Sequence, residues 1–139
     1  MKRGTTAEEQ DTIRESVARG YLIESFVVEW GYNIKKGQHE RFRRWLLDNE
    51  RHLAASAPED VAYKGTYVMT SSTEKQAGEY RTIWTFMSLR GPQNLAARLA
   101  DQQAPFTRLW NELSEFRDDD SPTRSQQNYS PAATAVRLY

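Results

Sequence analysis

Two histidines, one strand carboxylate and a dense set of aromatics are the side chains here that could do chemistry. His39 precedes Phe42 by three positions, where an amphipathic run begins. A helix N-terminus favours the neutral imidazole there, a form able to accept a proton, or His39 simply closes the first turn at the rim. Glu29 lies in a strand among large aromatics. It either pairs with Arg81 or Lys64 on neighbouring strands or, kept from a cation, serves as a general base. Trp30, Tyr32, Tyr63, Tyr67 and Trp84 could stack on a flat ligand, the tyrosine hydroxyls supplying donors. They could equally form the dry core of a pair of subunits.

Metal chemistry finds little support. His39 and His52 fall on one helical run and stand about 20 Å apart at 1.5 Å per residue, too far to share an ion. Cysteine is absent, and no carboxylate spacing suggests a metal or calcium loop. Asp118, Asp119 and Asp120 read as a solvated helix end. No metal and no cofactor is expected. Glycine-rich phosphate loops and nucleophile elbows are missing too.

The elements that must position these residues follow from periodicity. Over 22–33 apolar and polar residues alternate, Phe26, Val28, Trp30 and Tyr32 against Val27, Glu29, Gly31 and Asn33, which predicts a strand. After Lys35-Lys36-Gly37 the period lengthens, and Phe42, Trp45, Leu46, Asn49 and Leu53 share one helical face over 38–56. Asn49 on that stripe calls for a nearby backbone partner. Residues 61–70 and 79–89 form a hairpin, with Val61, Tyr63, Gly65, Tyr67 and Met69 on one face of the first arm. Gly65 there suits a bulge or the close approach of a ligand. Gly91-Pro92 opens a second helix to residue 117, kinked or divided at Pro105. Residues 118–131 read as a long surface connection and 132–139 as the last strand.

The order β-α-β-β-α-β gives an α+β, ferredoxin-like sandwich with a four-stranded antiparallel sheet. Residues 1–20 form an N-terminal helical arm, and 21–139 a single domain. Both helices cover one sheet face. Trp30, Tyr32, Tyr63, Tyr67, Trp84 and Phe86 are expected on the other, which a second copy would then cover.

At 139 residues the chain can bury a core of its own. Nineteen basic and nineteen acidic side chains cancel, so no global field steers it to nucleic acid. No apolar run approaches the ~18 residues of a membrane span, and the first twenty lack the core of a signal peptide. A cytoplasmic protein without nucleic-acid or membrane partners is expected.

Several pieces resemble the dimeric α+β barrel superfamily, above all NIPSNAP-like and antibiotic-biosynthesis-monooxygenase-like domains. Tyr32-Asn33-Ile34-Lys35-Lys36-Gly37 is similar to that family's Tyr-x-Val-x-x-Gly entry to its first helix. Tyr63-Lys64-Gly65-Thr66-Tyr67, then Gly78 and the run from Tyr80 to Phe86, resemble its second hairpin. Residues 98–109 carry its arginine, central proline and following hydrophobics. The likeness spans roughly 22–113. Trp30 stands where the family often has arginine, and the arm and the 118–131 connection are additions. The resemblance implies a homodimer enclosing a ligand-sized cavity, but no single chemistry, since members include monooxygenases, isomerases and haem-degrading enzymes.

Two functions are therefore expected as alternatives. One is a small-molecule site between sheet and helices for an apolar or aromatic ligand, with cofactor-independent monooxygenase or isomerase chemistry in which His39 or Glu29 moves a proton. The other is a non-enzymatic assembly module whose aromatics are dimer core.

Overall fold

The computed structural model describes residues 25–74, 78–120 and 124–130. Strand β1 is Phe26–Tyr32, helix α1 His39–Ala55, β2 Val61–Val68 and β3 Tyr80–Phe86. Helices α2, Gly91–Ala100, and α3, Pro105–Glu115, follow, and β4 is Arg124–Tyr129. The strands form one antiparallel sheet in the order β2-β3-β1-β4. This is the expected α+β sandwich. The N-terminal arm lies outside the described residues, as does the segment 132–139.

Three local features shape it. Gly37, at φ 80°, turns β1 into α1. Pro105 does more than kink the second helix. It starts a new one, and Asp101 to Ala104 form the break. The junction is tied by Thr107 Oγ1, which donates to the Arg98 carbonyl at 2.7 Å, while Arg98 Nη1 donates to the Ser56 carbonyl at 2.8 Å. At Gly65, φ 120°, the β2–β3 register slips by one residue. That bulge puts Tyr63 and Thr66 on one face and Tyr67 on the other, although residues 63 and 67 have the same parity.

The facing of the aromatic row is a correction to the sequence expectation. Val28, Tyr32, Tyr80, Trp84 and Phe86 pack with Phe42, Leu53, Phe106, Leu109 and Leu113, beneath the helices rather than away from them. The physical reason is composition. The other rows of β1 and β3 carry Glu29, Arg81 and Thr85, which could not satisfy the apolar stripes of α1 and α3. Fully burying one large apolar side chain is worth about 1.5–3 kcal/mol, so the more apolar row goes inward. Trp84 is wholly buried, its ring meeting Tyr63 at 5.1 Å, Trp110 at 5.4 Å and Phe106 at 5.9 Å between centroids.

The reading of 118–131 as a connection is a second correction, for it contains strand β4. That strand, Arg124–Tyr129, pairs with β1 from Val27↔Tyr129 to Tyr32↔Arg124. Its sequence has no apolar alternation, so the backbone ladder holds it rather than buried side chains.

Candidate functional site

A cleft of about 440 Å³ opens between the β1–β4 pair and the end of α3. Trp30, Tyr32, Trp110, Arg117, Ser125 and Gln126 line it, with Gly31 between the first two. Trp30 comes from β1, and Trp110 from the middle of α3, one turn after Phe106. The two indoles meet edge to face, 5.3 Å apart at 89°. Both also touch Trp84, which closes the cluster from beneath. The main apolar surface of the cleft is therefore two fixed indoles, suited to the faces and edges of flat rings.

Polar chemistry is sparse and specific. Among the described residues, the buried side-chain polar atoms without a hydrogen-bond partner are Arg117 Nε and Trp84 Nε1. Buried donors are almost always paired, so an orphan beside a cleft marks a place where a ligand atom can bond. Arg117 is held there by its backbone, which bridges to Ile34 just past the end of β1. The Tyr32 hydroxyl is pushed up to about 12 by burial, against which its bonds to Thr82 and Thr66 and the Arg117 charge act. It stays a neutral hydroxyl at physiological pH.

From Tyr32 a chain of hydroxyls crosses the inner sheet face. Tyr32 Oη lies 2.6 Å from Thr82 Oγ1, which lies 3.0 Å from Thr66 Oγ1. Thr66 Oγ1 lies 2.6 Å from Tyr63 Oη, and Tyr63 donates to Glu50 Oε2 at 2.6 Å. The Thr66 amide also donates to that oxygen, at 3.3 Å. Burial, reinforced by the bond to Glu50, raises the Tyr63 hydroxyl strongly.

The residues singled out by sequence are divided by the sheet. Trp30 and Tyr32 line the cleft, Trp84 lies under it, and Tyr63 ends the hydroxyl chain. Tyr67 sits on the opposite face, 53% exposed, its hydroxyl donating to the Lys64 carbonyl at 2.9 Å. Glu29 is on that face too, 4.0 Å from Arg81 Nε and accepting from Tyr129 Oη at 2.8 Å. That bond raises the Tyr129 hydroxyl. His39 does not line the cleft. It stacks on Tyr80, its Nδ1 2.9 Å from the Tyr80 hydroxyl, with Glu79 3.9 Å from Nε2. Asn49 Nδ2 donates to the Trp45 carbonyl one turn back, a purely local bond.

Sequence reasoning did not reach Trp110, Arg117, Thr66, Thr82 or Glu50. Trp110 stands four residues after Phe106 and its ring lies 5.8 Å away, a helical spacing that could have flagged it. The others carry no signal until the strands are in register.

No family model and no curated protein matches the sequence. Solved structures share the fold. A NIPSNAP family protein from Agrobacterium tumefaciens superposes with TM-score 0.56 at 16% identity, covering 78% of this chain and 86% of that one. An uncharacterised NIPSNAP-like domain protein from Burkholderia xenovorans gives 0.59 at 10% identity, over 84% of this chain and 93% of that one. A second Agrobacterium tumefaciens protein, described as a NIPSNAP family protein of unknown function, gives 0.55 at 17%, over 85% and 96%. The chain has the NIPSNAP fold. What that fold does in this chain must be argued from the site, since one fold hosts many chemistries. Among the described residues no helix is long and apolar enough to cross a membrane, and no three His, Asp or Glu side chains group to hold a metal.

Proposed function

We propose that the Trp30–Trp110 cleft binds a flat aromatic or polyketide-like acid and moves a proton on it without a cofactor. The observation that carries this is the Arg117 Nε, buried at an aromatic cleft without an acceptor. A carboxylate or enolate oxygen would supply that acceptor, and a charge-assisted bond in such a site is about twice as strong as a neutral one. The indoles hold the rings, and Arg117 stabilises the enolate oxygen formed when a proton leaves. A carbanion delocalised over the ligand's rings could be reprotonated elsewhere, an isomerase outcome, or react with dioxygen, a monooxygenase outcome. His39 and Glu29 stand apart from the cleft and act in this reading on Tyr80 and on Arg81.

The reading includes a homodimer paired through the sheet face that, among the described residues, no helix covers. Its support is that this face carries half-buried Val27, Ala62 and Ile83 with exposed Tyr67 and Tyr129. The resemblance to dimeric barrels points the same way. A clean 16.1 kDa monomer at micromolar concentration would end that part of it.

The test is a titration with aromatic carboxylates and their neutral amides, read by tryptophan fluorescence. The acids should quench saturably, with the amides at least about tenfold weaker and Arg117→Leu erasing the difference. Silence toward every acid, or equal binding of acid and amide by the parent, would overturn it. The assembly-module reading rests instead on the exposed Tyr67 and Tyr129 of the opposite sheet face, since Trp84 is buried within the subunit's own core. Silence in the titration would leave that reading standing.

A further inference from the structure

Three antiparallel pairings of β1 and its extension decide which side chains face the cleft. Ile34 bridges to Arg117, Trp30 pairs with Gln126 and Val28 with Asn128. Residues directly opposite in an antiparallel pair point to the same side of the sheet. Ile34 and Val28 point into the core beneath the helices, and Trp30 points there too, against Trp84 and Trp110. Arg117 and Gln126 therefore rise on that side, and both line the cleft. Ser125, between the Gln126 and Arg124 positions, goes to the opposite face, where its Oγ is taken by Arg81. From Ile34 to Trp30 is four residues, about 13 Å of extended backbone.

The two ends of the cleft differ in chemistry. Arg117 brings a permanent positive charge. Gln126 brings a neutral, exposed amide whose Nε2 donates to Asn128 Oδ1 at 3.4 Å, the long limit of a hydrogen bond. A bond that long is given up at little cost. The amide oxygen accepts and the nitrogen donates, so the group can meet a hydroxyl or a ring carbonyl. Trp30 stands across from it in register, so a ring lying on that indole has its edge beside the amide.

We propose that Gln126 selects among aromatic acids by bonding a second, neutral oxygen at the end of the ring system remote from the carboxylate. This rests on the reading that Arg117 takes the carboxylate. With the carboxylate held there, a hydroxyl on the neighbouring ring carbon stays at the Arg117 end and leaves Gln126 to water. A hydroxyl or carbonyl at the far end is carried toward Gln126. The preferred ligands are flat acids with a remote phenol or ring carbonyl, and Gln126 sets specificity without taking part in the chemistry.

The test is calorimetric titration of the full chain with 6-hydroxy-2-naphthoic acid, its 3-hydroxy isomer, 2-naphthoic acid and 2-naphthamide. The parent should bind the 6-hydroxy acid about three- to tenfold tighter than the 3-hydroxy or the unsubstituted acid, the yield of one neutral hydrogen bond. Gln126→Val should erase that preference and leave the preference for 2-naphthoic acid over its amide, which reports Arg117. Gln126→Glu, still an acceptor for a hydroxyl, should keep the 6-hydroxy isomer ahead of the 3-hydroxy isomer. Valine suits a strand, and the position is exposed. Should Gln126→Val aggregate, Gln126→Ala must give the same loss. Equal binding of the two isomers by the parent, or a preference that survives Gln126→Val, overturns this inference and leaves the role of Arg117 intact. Failure of every acid to bind removes both.

Discussion

Arg81 lies across Gly31, so close that a methyl group on Gly31 would stand 1.8 Å from the guanidinium Nη1 and 2.6 Å from Ser125 Oγ. The absence of a side chain at Gly31 is what lets Arg81 reach from β3 over β1 to Ser125 on β4, where Nη1 donates to Oγ at 2.9 Å. Gly31→Ala should therefore cost about 1–3 kcal/mol, from a lost bond and a displaced guanidinium that is only 8% exposed. In an Arg81→Ala background the same change should cost less, about 0.5–1 kcal/mol, because the nearer obstacle is gone and only the rotatable Ser125 hydroxyl must move. Urea melts of the four proteins give the cycle.

Trp84→Ala should cost about 3–5 kcal/mol, the range for truncating a large ring in a closed core. Its ring is 0% exposed and meets Trp30, Tyr63, Phe106 and Trp110, from three different elements. A loss near 1 kcal/mol in urea melts would mean that water already reaches the ring.

Alkali should unfold the protein in a defined window. Tyr32 ionises near 10 in the unfolded chain and near 12 in the fold, because burial disfavours the anion. Between those values the fold holds more protons than the unfolded chain, so stability falls as pH rises. Tyr32 alone should account for a loss of roughly 2–3 kcal/mol by pH 12, and buried Tyr63 adds to it in the same direction. Urea midpoints at about pH 9 and about pH 11.5 measure the slope, which Tyr32→Phe should make shallower.

Ile83→Lys should separate the proposed dimer while leaving each subunit folded. Ile83 is half-buried in the middle of β3 on the face that no described helix covers, opposite Glu29 and Gly65 in register. Burying a charged side chain at the centre of a packed interface costs several kcal/mol in desolvation, even with Glu29 across the strand. Sedimentation should move from two subunits to one with an unchanged circular dichroism spectrum. An unchanged sedimentation coefficient would place the interface elsewhere.

Much of the fold was legible because β1, β3 and α1 each state their period plainly. Glycines and prolines stand at their ends, so the boundaries were readable to within a few residues. The facing of the sheet was not legible, because both rows of β3 are bulky and only the demand of the helices decides between them. β4 was hidden by its own composition. Gln126, Gln127 and Asn128 are exposed amides that read as loop, and only pairing to β1 makes them a strand. Of the site, Trp30 and Tyr32 could be seen, since aromatics in a strand are conspicuous. Glu50 could not. It lies thirteen residues before Tyr63 in a run of charged residues, and nothing marks it until α1 lies on β2. Gly65 was the one hint that the period of β2 would change.

The strand order has a consequence for amide exchange. Strands β1 and β3 are paired on both sides, whereas among the described residues β2 and β4 are paired on one. Protection should therefore peak on Val28, Trp30 and Trp84 and fall outward, with β4 opening first because it buries little beyond its backbone ladder. The cleft is thus walled asymmetrically, with Trp30 in the most durable part of the sheet and Ser125 and Gln126 in the least. Whatever enters beside Gln126 meets hydrogen bonds that break and re-form often, above indoles that keep their places.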